Sequence, residues 1–265
     1  MLWLAIFFIV PMGFLGYQSL ESGLFPHFHF TWAFSNFSSA LSGYHTQLVR
    51  SFIYAGIATV ACLVLAYPLV YWIAFRAGPW RNLFLLIIVA PFFVTYLVRT
   101  LAWLNILADE GPVVRILRDI HVLGPDGRLL ATTFAVVAGI TYNFFPFMAL
   151  PLYVSLEQID GSLLEAAKDL YASPTRAFLR VTLPLSAPGI VAGTLLTFIP
   201  AAGDFINAAL LGTPNQAMIG NVIQAKFLES LDYPTAASLS FILMGTILIA
   251  LLVYARIVGP EKLTG

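Results

Sequence analysis

Apolar runs of about 20 residues, separated by short polar stretches, dominate the hydrophobic pattern of this chain. A helix rises about 1.5 Å per residue, so such a run crosses a hydrocarbon layer about 30 Å thick. Six candidate spans follow, at roughly 2–20, 51–75, 83–107, 131–154, 188–208 and 236–258. The first begins at Met1 with neither a basic flank nor a small-residue cleavage site. It reads as a retained span, with a signal anchor as the alternative. Pro68, Pro91, Pro146 and Pro200 fall inside spans. Such breaks persist in a membrane only where neighbouring helices or a watery cavity satisfy the freed carbonyls, which predicts kinked helices around a pathway.

Two connections carry helical periodicity of their own. Val113, Ile116, Leu117 and Ile120 alternate with Arg115, Arg118 and Asp119, and Met218, Ile219, Val222, Ile223 and Phe227 repeat the pattern after Thr213-Pro214-Asn215. Both predict short helices lying along the outer surface, capping the bundle or facing a soluble partner.

Composition fixes the class. The 265 residues are 60% hydrophobic and 10% charged, where a soluble domain carries about a quarter charged residues. The expectation is an all-α integral membrane protein, a single domain over 1–265 in contact with lipid. Formal net charge is zero, which argues against a nucleic-acid partner. Cys62 is the lone cysteine and sits in an apolar run, so it reads as a small buried hydrophobe. His27 and His29, with His45 and His121 elsewhere, lack nearby cysteine or a clear carboxylate set, and no metal is expected.

An even span number puts both termini on one side. If that side is the cytoplasm, the inner segments hold Arg76, Arg81, Lys168, Arg176, Arg180, Arg256 and Lys262. The longer outer segments hold Arg50, Arg99, Arg115, Arg118, Arg128 and Lys226. Basic density is higher inside, which favours cytoplasmic termini. Arg50 and Arg99 read as outer-interface residues that snorkel or pair with acids.

The longest interior stretch of mixed charge lies at about 155–187, between the fourth and fifth spans. Ser162 followed three residues later by Glu165 predicts a capping box, with Leu163, Ala166, Ala167 and Leu170 on the apolar face and Lys168 and Asp169 turned away. Ser173-Pro174 predicts a second start, serine as N-cap and proline at the first helical position. Arg176 and Arg180, four apart, share a stripe, and Leu183-Pro184 is expected to end this helix. Read without the family, Glu165 is a helix cap and the alanines pack on the bundle.

With the family in view, Glu165-Ala166-Ala167, three residues, a position usually glycine, nine residues, and then Val181-Thr182-Leu183-Pro184 resembles the cytoplasmic EAA loop of ABC-importer permeases. Tyr96-Leu97-Val98-Arg99-Thr100 and Ile219-Gly220-Asn221-Val222-Ile223 resemble the spermidine/putrescine-type permease subfamily. The resemblance covers nearly the whole chain and implies the type I importer permease fold. It implies that the first loop helix docks in a groove of an ATPase subunit, with Glu165, Ala166, Ala167, Asp169, Tyr171, Arg176, Leu183 and Pro184 as coupling residues. It also implies a second similar permease, two ATPase subunits, an extracytoplasmic binding protein, a bacterial inner membrane and alternating access. The chain has no Gly-x-x-x-x-Gly-Lys-Ser/Thr segment, so it is not an enzyme by itself. ATP and magnesium belong to the partner ATPase, and no cofactor is expected here. Tyr171 stands where the family has glycine. The turn should therefore close with ordinary dihedrals, or Tyr171 should gain compensating contact with the ATPase; positive φ with its ring in solvent contradicts both.

Acids and aromatics suit an organic ammonium through charge pairing and cation–π contact. Asp204, after Pro200 and Gly203, is an ionisable group about 24 Å along the fifth span. Asp109, Glu110, Trp103, Tyr142 and Asn143 complete the candidate pathway, against the plainer readings of hydrated acids and packed aromatics. The subfamily resemblance implies a small cationic solute, a polyamine. An organophosphonate, sugar or amino acid, a membrane scaffold and a secondary transporter stay open, and cavity-lining cations would favour an anion carrier.

Overall fold

A computed structural model of the chain describes residues 3 and 5–258; Met1 and Lys262 lie outside the described residues, as does the Lys168 side chain. Among the described residues three helices are long and apolar enough to cross a membrane: Ser35–Arg76, Thr133–Glu157 and Tyr233–Arg256. Two further pairs qualify as bent spans, Gly78–Phe93 with Tyr96–Asp119 at 97° and Pro174–Leu185 with Ala187–Ala202 at 61°. The expected first span is the shorter apolar helix Ile6–Ser19.

In chain order, a π-turn at Ala5–Ile9 leads into α1 (Val10–Ser19), and β1 (Glu21–Leu24) pairs antiparallel with β2 (His27–Phe30). Next come α2 (Ser35–Arg76), α3 (Arg81–Val89), α4 (Tyr96–Leu107), α5 (Pro112–Asp119) and α6 (Thr133–Glu157). The loop holds α7 (Gly161–Asp169) and α8 (Pro174–Ala177); α9 (Ala187–Ala202), α10 (Ile206–Leu211), α11 (Ile219–Gln224) and α12 (Tyr233–Val258) complete the chain.

A short hairpin is added to the otherwise helical bundle. Its register sets Glu21 opposite Phe30 and Leu24 opposite His27. Asn36 Nδ2 donates to the carbonyls of Ser19 at 3.0 Å and Glu21 at 2.8 Å, fastening the hairpin to the start of α2. His27 and His29 sit exposed on β2, and no group of three metal-capable side chains occurs among the described residues.

α2 starts well before the expected residue 51, because its polar N-terminal part is held by packing. Ala40 and Leu48 are buried against Ile219 and Leu239. The helix is kinked at Tyr44, with φ −127° and ψ 16°. Its inner half packs on α6 through small residues, which let backbones approach closely where no hydrophobic drive distinguishes protein from lipid. Ala55, Ala58, Cys62 and Ala66 are fully buried beside Ile140, Met148, Ala149 and Leu152. Cys62 behaves as a buried apolar group, its thiol donating to the Thr141 carbonyl at 3.3 Å. Outward, Val60, Val64, Leu65, Leu248, Ile249 and Leu252 are exposed, an apolar surface suited to lipid.

Two other expectations change. The buried residue of α5 is Val114, while Ile116 and Ile120 are exposed. Arg118, expected on the water face, donates to the carbonyls of Asp109 at 3.0 Å and Gly127 at 3.1 Å, and this rotates a helix only eight residues long. Arg50 donates to the Ala217 carbonyl at 2.9 Å rather than to an acid, joining α2 to the turn before α11.

Candidate functional site: the charged loop and a buried polar network

Asp160, not Ser162, caps α7. Its Oδ1 accepts the Ser162 N–H at 2.9 Å, and Glu165 is exposed rather than folded back. The hydrogen bond from the Ser162 backbone, with that from its hydroxyl second, holds the Asp160 carboxyl below its ordinary range. The helix is rotated by one residue, about 100°, from the expected packing. Leu164 and Glu165 border a 370 Å³ cavity with Tyr71, Phe75, Arg76 and Phe178, while Leu163, Ala166 and Leu170 face solvent. Asp169 is exposed and Ala167 half-buried. A larger 740 Å³ cleft, lined by Ser155, Gln158, Asp160 and Leu195 among others, opens on the other side of α7.

Tyr171 has φ +55° and is 95% exposed. The expectation of ordinary dihedrals is overturned, and the ring is free of contacts within this chain. The cause is the closure of α7: the Ala172 N–H bonds to the Ala167 carbonyl at 3.0 Å, a six-residue return that requires a left-handed residue between them. Tyrosine occupies a glycine geometry here, at a cost of about 1–2 kcal/mol.

Ser173 caps α8 as expected, its Oγ accepting the Arg176 N–H at 3.4 Å with Pro174 in the first turn. Leu183-Pro184 does not end the second loop helix. The chain runs through a π-turn at Phe178–Thr182, where the Leu183 N–H reaches back to the Phe178 carbonyl, and on to Leu185. The widened turn absorbs the donor that Pro184 lacks, and the 61° bend falls at Ser186 instead. Arg176 and Arg180 are both exposed.

A second site lies inside the bundle. Asp204 sits in the break between α9 and α10 and is only 7% exposed. Its carboxylate accepts the Tyr96 hydroxyl, the Asn207 N–H at 2.9 Å and Asn207 Nδ2 at 3.1 Å. Asn207 Nδ2 also donates to the Tyr96 hydroxyl at 2.6 Å, and Asn207 Oδ1 accepts from Asn143 Nδ2 at 3.2 Å. Asn143 Nδ2 is shared with Thr100 Oγ1 at 3.2 Å, leaving its own Oδ1 buried and unpartnered. The break is possible because Gly220 lies against it; a Cβ there would meet the Gly203 carbonyl oxygen at 2.6 Å. Gly139 plays the same part for α6 and α10, since its Cβ would meet Asn207 Oδ1 at 2.6 Å.

The network thus takes in Asp204 and Asn143 from the expected set and leaves the others out. Asp109 pairs with Arg128 at 3.2 Å, and Glu110, whose side chain is 85% exposed, pairs with Arg115 at 3.0 Å. Both acids belong to the loop after α4, neutralised by neighbours. Trp103 packs edge-on against Tyr142 at 5.5 Å between ring centroids. Tyr96, Thr100 and Asn207 were missed, although Tyr96 and Thr100 stand one helical turn apart in an apolar span and Asn207 follows Asp204 by three. Arg99 is a further correction. It is 8% exposed, lies 5.2 Å from the Phe92 ring centre and 5.5 Å from that of Tyr96, and its Nε and Nη1 are buried without partners.

A family model described as binding-protein-dependent transport system inner membrane component matches residues 37–258. The chain is 36% identical over 254 residues to the spermidine/putrescine transport system permease protein PotB of Haemophilus influenzae, covering 95% of this chain and 88% of that one. Against PotB of Escherichia coli strain K12 it is 36% identical over 256 residues, 96% and 93% of the two chains. Among solved structures, a bacterial ABC transporter involved in the import of the acidic polysaccharide alginate superposes with a TM-score of 0.77 at 17% identity. That superposition covers 100% of this chain and 93% of that chain. The MetNI methionine ABC transporter, in inward-facing form, gives 0.62 at 15% identity over 83% and 95%. At such identities the structural likeness speaks for fold: the bundle is that of ABC-importer permeases.

Proposed function

This chain belongs to the binding-protein-dependent transport system inner membrane component family, and on that premise we propose that it is a polyamine permease subunit. It spans the bacterial inner membrane with both termini in the cytoplasm and forms half of the pathway beside a second, similar permease. Two ATPase subunits, which carry ATP and magnesium, grip the 155–187 loop from the cytoplasm. An extracytoplasmic protein delivers spermidine or putrescine from outside. ATP closes the ATPase dimer, the two loops move with it, and the bundle alternates between inward and outward access.

One observation carries the coupling role. α7 and the turn that closes it present Leu163, Ala166, Leu170 and Tyr171 to solvent although each has an apolar body, and a face of this kind is a surface awaiting a partner. The polyamine assignment is supported by the PotB relatives, similar over almost the full chain, and by the Asp204 carboxylate with aromatic Tyr96 beside it. Arg99, buried with two unpartnered nitrogens, favours a solute bearing an anionic group as the second reading.

The test is to purify the chain with its genomic neighbours, reconstitute it in lipid and follow ATP hydrolysis. Polyamine-loaded binding protein should stimulate hydrolysis and drive uptake. Stimulation by a different loaded solute overturns the polyamine assignment. Solute flux driven by an ion gradient with no ATPase attached makes it a secondary transporter. Partner binding without flux makes it a scaffold.

A further inference from the structure

Two interrupted helices meet at one side chain. Extended residues Val94 and Thr95 separate the turn Ala90–Phe93 from α4, and Gly203–Phe205 separate α9 from α10. Tyr96 is the first residue of α4, and its hydroxyl reaches Asp204 in the other break. The hydrogen bonds all run one way: Asn143 Nδ2 to Asn207 Oδ1, Asn207 Nδ2 to the Tyr96 hydroxyl, and the Tyr96 hydroxyl to Asp204 Oδ2. In such a chain each donor polarises the next, so the last bond, onto the carboxylate, is strengthened most.

A carboxylate offers about four acceptor positions, and three are filled here by Tyr96, the Asn207 N–H and Asn207 Nδ2. The two bonds from Asn207 are local, from a residue three positions along the same chain segment. Only the Tyr96 bond joins the carboxylate to a different span. A solute ammonium that approaches Asp204 therefore competes with the Tyr96 hydroxyl while the local cap from Asn207 stays in place.

We infer that Tyr96 is a positioning residue for transport: its hydroxyl clasps the break before α4 to the break after α9, and a solute's ammonium arriving at Asp204 competes with that hydroxyl for the carboxylate. The inference rests on the polyamine-import reading for the ammonium alone. The clasp itself stands on the geometry of the two breaks. An irregular backbone at membrane depth holds its shape only when tied to neighbouring protein, so release of this bond loosens both breaks, with Asn207 and Asn221 as the remaining ties.

Tyr96→Phe removes the oxygen and keeps the ring against Phe144, at 6.0 Å, and beside Arg99. The experiment uses the complete transporter in lipid nanodiscs with Tyr96→Phe, Asp204→Asn, Asp204→Glu and the Tyr96→Phe/Asp204→Asn pair. Two quantities are read: ATP hydrolysis without binding protein, and KM and kcat for spermidine uptake with it. Loss of a hydrogen bond to a charged group should raise the unstimulated rate roughly tenfold in each neutral single variant, with no further rise in the pair. Asp204→Glu should return the rate towards wild type. Spermidine KM should rise in Asp204→Asn and fall or hold in Tyr96→Phe.

A wild-type unstimulated rate in Tyr96→Phe, or a pair whose effect is the product of the singles, overturns the clasp. If Tyr96→Phe does not assemble, the Asp204→Asn and Asp204→Glu contrast decides, and equal rates in the two overturn it. If spermidine never stimulates the wild-type assembly, the polyamine reading fails while the unstimulated rates still judge the clasp.

Discussion

Tyr171 shows how a single position can obey the backbone against its own side chain. The Ala172-to-Ala167 hydrogen bond sets the left-handed turn, and tyrosine accepts φ +55° because nothing crowds its ring. Tyr171→Gly should therefore stabilise the loop by about 1 kcal/mol, read as slower proteolysis or higher amide protection across 161–172, whereas Tyr171→Ala should gain nothing because its Cβ remains. If Tyr171 docks on the ATPase, the glycine variant will also lose stimulated hydrolysis while gaining that protection. Asp160 adds a pH dependence of known sign. Its folded pKa lies below the ordinary 3.8, so the cap's contribution is present above that value and disappears as pH falls through the depressed one. Protection of the first turn of α7 should fall on acidification in wild type and persist in Asp160→Asn, since asparagine caps without titrating. An acid-insensitive wild-type helix removes Asp160 from the cap.

At the scale of elements, the long apolar runs could be read directly because a 20-residue stretch has few alternatives in a bilayer. The breaks could not. Pro91 and Pro200 announced that something would interrupt the third and fifth spans, but not the 97° turn of the former, and the Gly203–Phe205 gap of the latter depends on Gly220 and Asn221 from the next connection. Asn221 Nδ2 donates to the Phe205 carbonyl at 2.7 Å, and Gly220 leaves room for it. Gly220→Val should force the two segments apart at a cost of about 1–3 kcal/mol, seen as a lower thermal midpoint. A midpoint within error of wild type would mean that α11 is not what holds the break. The hairpin escaped for a similar reason: His27-Phe28-His29-Phe30 alternates, but two four-residue strands are too brief to stand out between spans. Asp204 and Asn143 were visible as polar groups in apolar sequence. Tyr96, Thr100 and Asn207 became legible only when α4, α6 and α10 were brought together.

For the whole molecule, the decisive surface is the exposed loop. Leu163→Asp with Leu170→Asp should leave the bundle folded, because both side chains face outward, yet abolish polyamine-stimulated ATP hydrolysis by preventing ATPase attachment. A double variant that still copurifies with its ATPase and responds to loaded binding protein would place the motor contact elsewhere. The ion pair of Arg81 with Glu157 at 2.9 Å lies near the same end and links the start of α3 to the last residue of α6.

The length of α2 has its own consequence. Beyond the kink at Tyr44 its run to Arg76 makes a rod of about 48 Å, roughly one and a half times the thickness of a hydrocarbon core. Its Arg76 end borders the same cavity as Glu165, so the surplus emerges at the opposite face, where the elbow at Tyr44 bends it and Asn36 pins the hairpin. Tilting of that rod by a few degrees at one surface becomes a swing of several ångströms at the other, and the protein carries a lever across its membrane in one unbroken stretch of chain.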